Sequence, residues 1–212
     1  MTTLMQPTPT APSPRRIPLI KVIGVGGAGL HAVAHMSQAG LGEVAFAGAH
    51  TDARVLSQCG LAQTLLLGSE LTRGLGAGGD PDIGRAAAES AAEQLQSLVA
   101  GPDLLIVVAG LGGGTGSGAA PVVARLARER GALVLALVAL PFEFEGARRQ
   151  QQAQLALRQL KTASDAVVCL PNQKIAGLID EKTTFLDALK ISNEMLAQGV
   201  RGLWRLITCE GL

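Results

Sequence analysis

The segment Gly112-Gly113-Gly114-Thr115-Gly116-Ser117-Gly118 constrains this chain more than any other. It follows the apolar run Leu104 to Ala109 and leads into Ala119 to Arg130, which reads as a helix. Five glycines in seven residues, set between a strand and a helix, let the backbone turn tightly and bring its N–H groups against an anion. The helix N-terminus adds unpaired donors and a partial positive charge at the same point. Thr115 and Ser117 add hydroxyls. The segment reads as a phosphate cradle.

The strand–turn–helix rhythm recurs along the chain. Strands are predicted at Leu19 to Val25, Val44 to His50, Gln63 to Leu67, Leu104 to Ala109, Leu133 to Leu140 and Ala166 to Leu170. Helices are predicted at Ala28 to Ala39, Ala53 to Cys59, Pro81 to about Val99, Ala119 to Arg130 and about Gly146 to Lys161, with Asp80 capping the one that opens at Pro81. The apolar runs are continuous rather than alternating, as in parallel strands buried on both faces. The fold class expected is α/β, a Rossmann-like doubly wound parallel sheet. From Thr184 to about Ile207, Leu186, Leu189, Leu196, Val200, Leu203 and Ile207 recur at helical spacings. They mark a long connector helix of roughly 36 Å. Residues 1–16 carry Pro7, Pro9, Pro12 and Pro14 and read as a disordered tail, residues 17–183 as the α/β domain, and 184–212 as the long helix and chain end.

Composition narrows the function. A formal net charge of +1, no Tyr and one Trp give neither a basic field nor a stacking platform, so no nucleic-acid partner is expected. The longest apolar run, Ala132 to Leu140, falls far short of the roughly 20 residues that span a bilayer. No membrane insertion is expected. Cys59, Cys169 and Cys209 form no C-x-x-C and read as reduced thiols of a soluble cytoplasmic protein. His31 and His35 stand at i and i+4 without a third ligand, so no metal site is expected.

Two further glycine clusters stand beside the first. Gly24-Val25-Gly26-Gly27-Ala28-Gly29 satisfies G-x-G-x-x-G after a strand, with Asp52 placed as a ribose acceptor. Gly74-Leu75-Gly76-Ala77-Gly78-Gly79-Asp80 ends at a helix start. Three such loops at the carboxyl edge of one parallel sheet supply more donors than a diphosphate bridge needs and suit a nucleoside triphosphate. No G-x-x-x-x-G-K-[ST] occurs, which excludes the Walker-type loop.

Gly112 to Gly118 resembles the tubulin signature G-G-G-T-G-[ST]-G, and Lys21 to Gly29, Leu71 to Pro81, Pro141 to Gly146 and Leu170 to Asn172 are similar to FtsZ, the bacterial tubulin homologue. The resemblance covers Ile20 to Leu212. It implies GTP/GDP as the ligand, with Mg2+ as a companion ion. By resemblance, Gly26, Gly27, Gly113, Thr115, Gly116 and Ser117 hold the phosphates, and Gly112, Gly114 and Gly118 complete the loop. Ala77 and Gly78 lie by the γ-phosphate, Glu145 and Arg149 by the ribose and phosphates, and Asn172 at the guanine. His31 and Glu194 belong to the same set but depart from the family's residues, Glu194 replacing an Asp that pairs with guanine. His50 replaces an Asn, Leu189 an aromatic, and Gly79-Asp80 an Ala-Asn pair, Asp80 bringing a carboxylate to the γ-phosphate loop. The departures gather at the base and sugar side, so weakened affinity or relaxed base choice is expected.

In the family, the long helix runs into an acidic loop N-x-D-x-x-D and then a second domain; neither is found before Leu212. The resemblance therefore implies a GTP-binding protein of the bacterial cell-division filament system that joins or caps filaments of full-length FtsZ-type subunits or of itself. Hydrolysis is expected only where a partner supplies the acidic loop. The apolar side of the long helix around Trp204 is expected to be uncovered. A truncated FtsZ GTPase is one alternative reading, and a dinucleotide-dependent oxidoreductase is another.

Overall fold

The computed structural model describes residues 18–39, 42, 44–176 and 183–208. The expected tail, residues 1–16, and the chain end 209–212 lie outside the described residues.

Among the described residues, six strands form one sheet: β1 (Ile20–Val25), β2 (Ala45–His50), β3 (Gln63–Leu66), β4 (Leu104–Gly110), β5 (Leu133–Leu140) and β6 (Ala166–Pro171). Their spatial order is β3-β2-β1-β4-β5-β6, and every neighbouring pair is parallel. The order reverses at β1, between β2 and β4, where the connections leave the sheet in opposite directions. A crevice opens there beyond the carboxyl ends. Register places Val25 beside both Ala49 and Ala109, so β1 ends within one residue of β2 and β4.

Both faces are covered, which accounts for the unbroken apolar runs. Ile23, Leu105, Val107 and Val134 pack into one cluster with α4 (Pro81–Ser90), α5 (Ala92–Val99), α6 (Gly114–Glu129) and α7 (Ala147–Ala163). Val22, Ile106 and Val108 point the other way, against Met36 of α1 (Gly26–Ala39) and Leu196 and Val200 of α9 (Phe185–Thr208). Burying a Val, Leu or Ile side chain contributes about 1.5–3 kcal/mol, so this two-sided core holds the strand ends that carry the loops.

Several boundaries differ from expectation. α6 begins at Gly114, not Ala119, so most of the glycine segment is helix rather than loop. Pro121 suits a first turn, which points to a later start, yet it sits well inside the helix. The single helix expected from Pro81 to Val99 breaks at Ala91, whose backbone leaves helical geometry at φ −102°, ψ 22°. Among the described residues, short helices α2 (Ala53–Gln58) and α3 (Ser69–Thr72) connect strands and α8 (Asn172–Ala176) follows β6, the last two unexpected.

In α9 the buried face is Ala188, Ser192, Leu196 and Val200, while Leu186 and Ile207 of the expected stripe are exposed. Trp204 is half-buried against the α1 cluster and stands over Gly42, so the expectation that it is uncovered is corrected. The uncovered apolar side chains of α9 are Leu186, Ile191, Met195, Leu206 and Ile207. No helix of the described residues is long and apolar enough to cross a membrane.

Candidate functional site

At the point where the strand order reverses lies a cleft of about 550 Å³, within the range of small-molecule sites. Three backbone segments wall it: Gly27 and Ala28 at the start of α1, Gly76 to Gly79 before α4, and Gly113 to Gly116 at the start of α6. The first and third touch. Gly26 has φ +75°, and a Cβ added there would stand 2.7 Å from the Gly116 nitrogen. On the opposite wall, Gly78 and Gly79 have φ of +58° and +77° with open space around the missing Cβ, so backbone conformation is what requires glycine there. The first N–H groups of an α-helix have no partner within it, and in α6 those groups belong to Gly114, Thr115 and Gly116 on the cleft wall.

Side chains frame this backbone. Thr115 and Thr51 share a buried hydroxyl–hydroxyl hydrogen bond of 2.6 Å, tying α6 to the end of β2. Asp52 lines the cleft, but its Oδ1 caps α2 by accepting from the Arg54 and Val55 N–H groups at 2.8 and 3.3 Å. Its own N–H donates to His50 Nδ1 at 2.7 Å. Burial holds the His50 pKa below the usual histidine range; the Asp52 charge works against that shift and His31 works with it. His50 is therefore neutral near pH 7, with Nδ1 as the acceptor.

Across the cleft, Glu145 accepts from the Phe142 N–H at 2.8 Å through Oε1 and from Arg149 at 2.5 Å through Oε2. That pairing turns Arg149, half exposed, along the cleft rim. Buried Asn172 accepts the Ser192 hydroxyl at 2.7 Å on its Oδ1.

A second, more apolar lobe of about 760 Å³ adjoins the cleft through shared walls at Gly27, Ala28, Leu189 and Asn193. His31 and Glu194 line this lobe rather than the glycine-walled cleft. Glu194 is tied down by His35 Nδ1 at 3.0 Å and Arg201 Nη1 at 3.2 Å.

The structure thus brings Gly27, Asp52, Ala77, Gly78, Gly113, Gly114, Thr115, Gly116, Glu145, Arg149 and Asn172 around one cleft, with His31 and Glu194 next door. Four expected residues stand outside the lining. Gly26 lies behind the loop against Gly116. The Gly112 N–H donates to the Ser117 hydroxyl at 2.8 Å, closing the turn on itself, and Ser117 is buried. Gly118 faces α4, where a Cβ would stand 2.1 Å from the Pro81 carbonyl oxygen. Ser117 and Gly118 border a smaller hollow of about 220 Å³ shared with Asp80 and Arg148. Asp80 caps α4 through the Asp82 N–H at 2.8 Å, so its carboxylate is not part of the cleft wall. Sequence reasoning missed Ser192, Asn193 and Thr51. The adjacent polar pair Ser192-Asn193 inside the apolar pattern of α9 was the signal available. No group of three or more His, Cys, Asp or Glu able to hold a metal occurs among the described residues.

Residues 19–180 match the sequence profile of the Tubulin/FtsZ family, GTPase domain. The chain superposes on an empty FtsZ dimer from M. jannaschii with a TM-score of 0.88 and 39% identity, over 92% of this chain and 57% of that one. On CetZ2 from Haloferax volcanii, solved as a GTPγS-bound protofilament, it superposes with a TM-score of 0.79 and 31% identity, over 88% of this chain and 58% of that one. A GDP-bound CetZ1 monomer from the same organism gives 0.79 at 26% identity, over 88% of this chain and 60% of that one. The chain thus spans about three fifths of the length of these structures.

Proposed function

Because the chain belongs to the Tubulin/FtsZ family through its GTPase domain, we propose that it binds GTP and GDP in the glycine-walled cleft and joins or caps cytoskeletal filaments. The observation that carries this reading is the convergence of three glycine segments on one cleft at the sheet's reversal point. The dinucleotide-oxidoreductase reading gives way to the family match.

The backbone N–H groups of Gly113 to Gly116 and Gly27 take the phosphate oxygens, and those of Ala77 to Gly79 close over the terminal one. Arg149 supplies a fixed positive charge at the rim, and Glu145 orients it. A Mg2+ arriving with the triphosphate would offset its charge, held by phosphate oxygens and water more than by protein. Two carboxylates line the cleft, Asp52 and Glu145. Both oxygens of Glu145 are engaged, and Asp52 is fixed through Oδ1 as the cap of α2, so neither is placed as a dedicated base for an attacking water. Hydrolysis accordingly depends on a carboxylate brought by another subunit, of this chain or of a full-length FtsZ-type partner, in the cytoplasmic cell-division filament system. The filament assignment draws on neighbours solved as a dimer and as a protofilament.

Titration with GTP, ATP and NAD, followed by GTP turnover and sedimentation with and without a full-length FtsZ, tests the proposal. GTP binding, negligible turnover alone and altered turnover or filament length in the mixture are expected. A folded chain that binds NAD but not GTP would overturn it, as would a mixture indistinguishable from the full-length protein alone.

A further inference from the structure

Resting on the proposal that the cleft holds nucleotide phosphates, we infer that the adjoining lobe accepts either purine, because the one carboxylate among its lining residues already has partners within the protein.

The lobe is the place for a base. It opens directly from the phosphate cleft, sharing Gly27, Ala28, Leu189 and Asn193, and Leu186 and Leu189 give it apolar surface for a flat ring. Guanine presents two adjacent donors, N1–H and the 2-amino group, and a carboxylate meets both. Adenine presents an acceptor at N1 and a donor at its 6-amino group. A site separates such ligands strongly when its own polar groups go unpaired with the wrong one. Discrimination then reaches about 10⁴-fold or more. That cost disappears when the reader is satisfied beforehand.

Glu194 is satisfied beforehand. It is the one carboxylate among the lining residues of the lobe, and its two oxygens are divided between two elements. Oε2 faces His35 Nδ1 of α1 at 3.0 Å, while Oε1 faces Arg201 Nη1 at 3.2 Å and Gln198 Nε2 at 3.4 Å on α9. Arg201, permanently charged and about three-quarters buried, cancels the carboxylate's charge whether or not His35 is protonated. The Glu194 side chain is also 36% exposed, so water serves whatever capacity remains.

Asn172 of the cleft is held in a similar way, its Oδ1 accepting from Ser192 and its amide N–H groups remaining to donate. Those donate to ring acceptors that guanine and adenine both offer, such as N7 and N3. His31, exposed at the lobe, both donates and accepts as a neutral imidazole. Asn193, which lines both lobe and cleft, carries an amide that both donates and accepts and so meets either base edge. Glu194 is thus a strut between α1 and α9, and the base is held by shape, apolar contact and amides that serve both purines.

Equilibrium titrations of the full chain with fluorescent GTP and ATP test this, alongside His35→Ala, Arg201→Ala and Glu194→Gln, each checked for folding by circular dichroism. The wild type is expected to bind GTP and ATP within about tenfold of each other, and Glu194→Gln to shift both affinities by the same factor. Removing the Arg201 or His35 partner frees the carboxylate and is expected to raise the GTP-to-ATP preference about tenfold. A wild-type preference for GTP of about a thousandfold overturns the inference, as does a Glu194→Gln loss confined to GTP. Binding of GTP without ATP refutes this inference alone, whereas binding of neither refutes the cleft reading on which it rests.

Discussion

The cleft proposed for phosphates and the lobe proposed for the base, here the phosphate side and the base side, are built from different materials. The phosphate side is backbone packed to the limit: a Cβ at Gly116 would stand 2.3 Å from the Gly110 carbonyl oxygen, and one at Gly29 would stand 2.2 Å from that of Val108. The base side is made of side chains on α1, α8 and α9, several exposed, held by pairwise contacts between His35 and Glu194 and between Asn172 and Ser192. Changing one residue on the first side displaces two strands and a helix. On the second it exchanges one hydrogen bond for another, so base contacts can drift while the phosphate cradle stays fixed.

The sharpest way to break this contrast lies within one segment. Gly116→Ala forces a Cβ into backbone and is expected to destabilise the fold by about 3 kcal/mol or more. Gly113→Ala meets nothing within 4 Å at an ordinary φ of −95°. It is expected to cost under about 1 kcal/mol; urea unfolding midpoints compare the two. Next in size, Arg149→Ala is expected to weaken GTP and ATP binding alike by about 1–2 kcal/mol, measured by calorimetric titration. A loss confined to one purine would erase the division between the two sides. Leu189→Phe adds an aromatic face to the base side and is expected to tighten both purines by roughly 0.5–1.5 kcal/mol, visible in the same titrations.

The smallest effect concerns His50, which burial holds below its usual pKa. Between the folded pKa and the unfolded value near 6.5, the unfolded chain carries a proton that the folded chain excludes. Its contribution to stability is therefore complete above about pH 6.5 and is lost as pH falls through the folded pKa. Thermal unfolding of His50→Asn across that range should give a flatter profile than the wild type.

The contrast also explains what could be read from the sequence. The doubly wound parallel sheet and the three glycine segments were legible because continuous apolar runs and Gly-rich turns have few physical uses. What escaped was the division of labour inside the glycine segment. Gly118 and Ser117 look like ligand residues, yet one lets α4 approach and the other closes the turn on Gly112. Spacing does not distinguish a glycine needed for a ligand from one needed for a neighbouring helix. The pairing of Glu194 with His35 was equally hidden, because it joins α1 to α9 across more than 150 residues of chain. The polar face of α9 at Ser192 and Asn193 was masked by the stronger apolar period around it.

The central claim is that three separate glycine segments close on one triphosphate. Amide hydrogen exchange of the folded chain, with and without saturating GTP, tests it most directly. The expected result is added protection in residues 24–30, 75–80 and 111–117 together. Protection confined to residues 24–30, or none at any of the three, would contradict it.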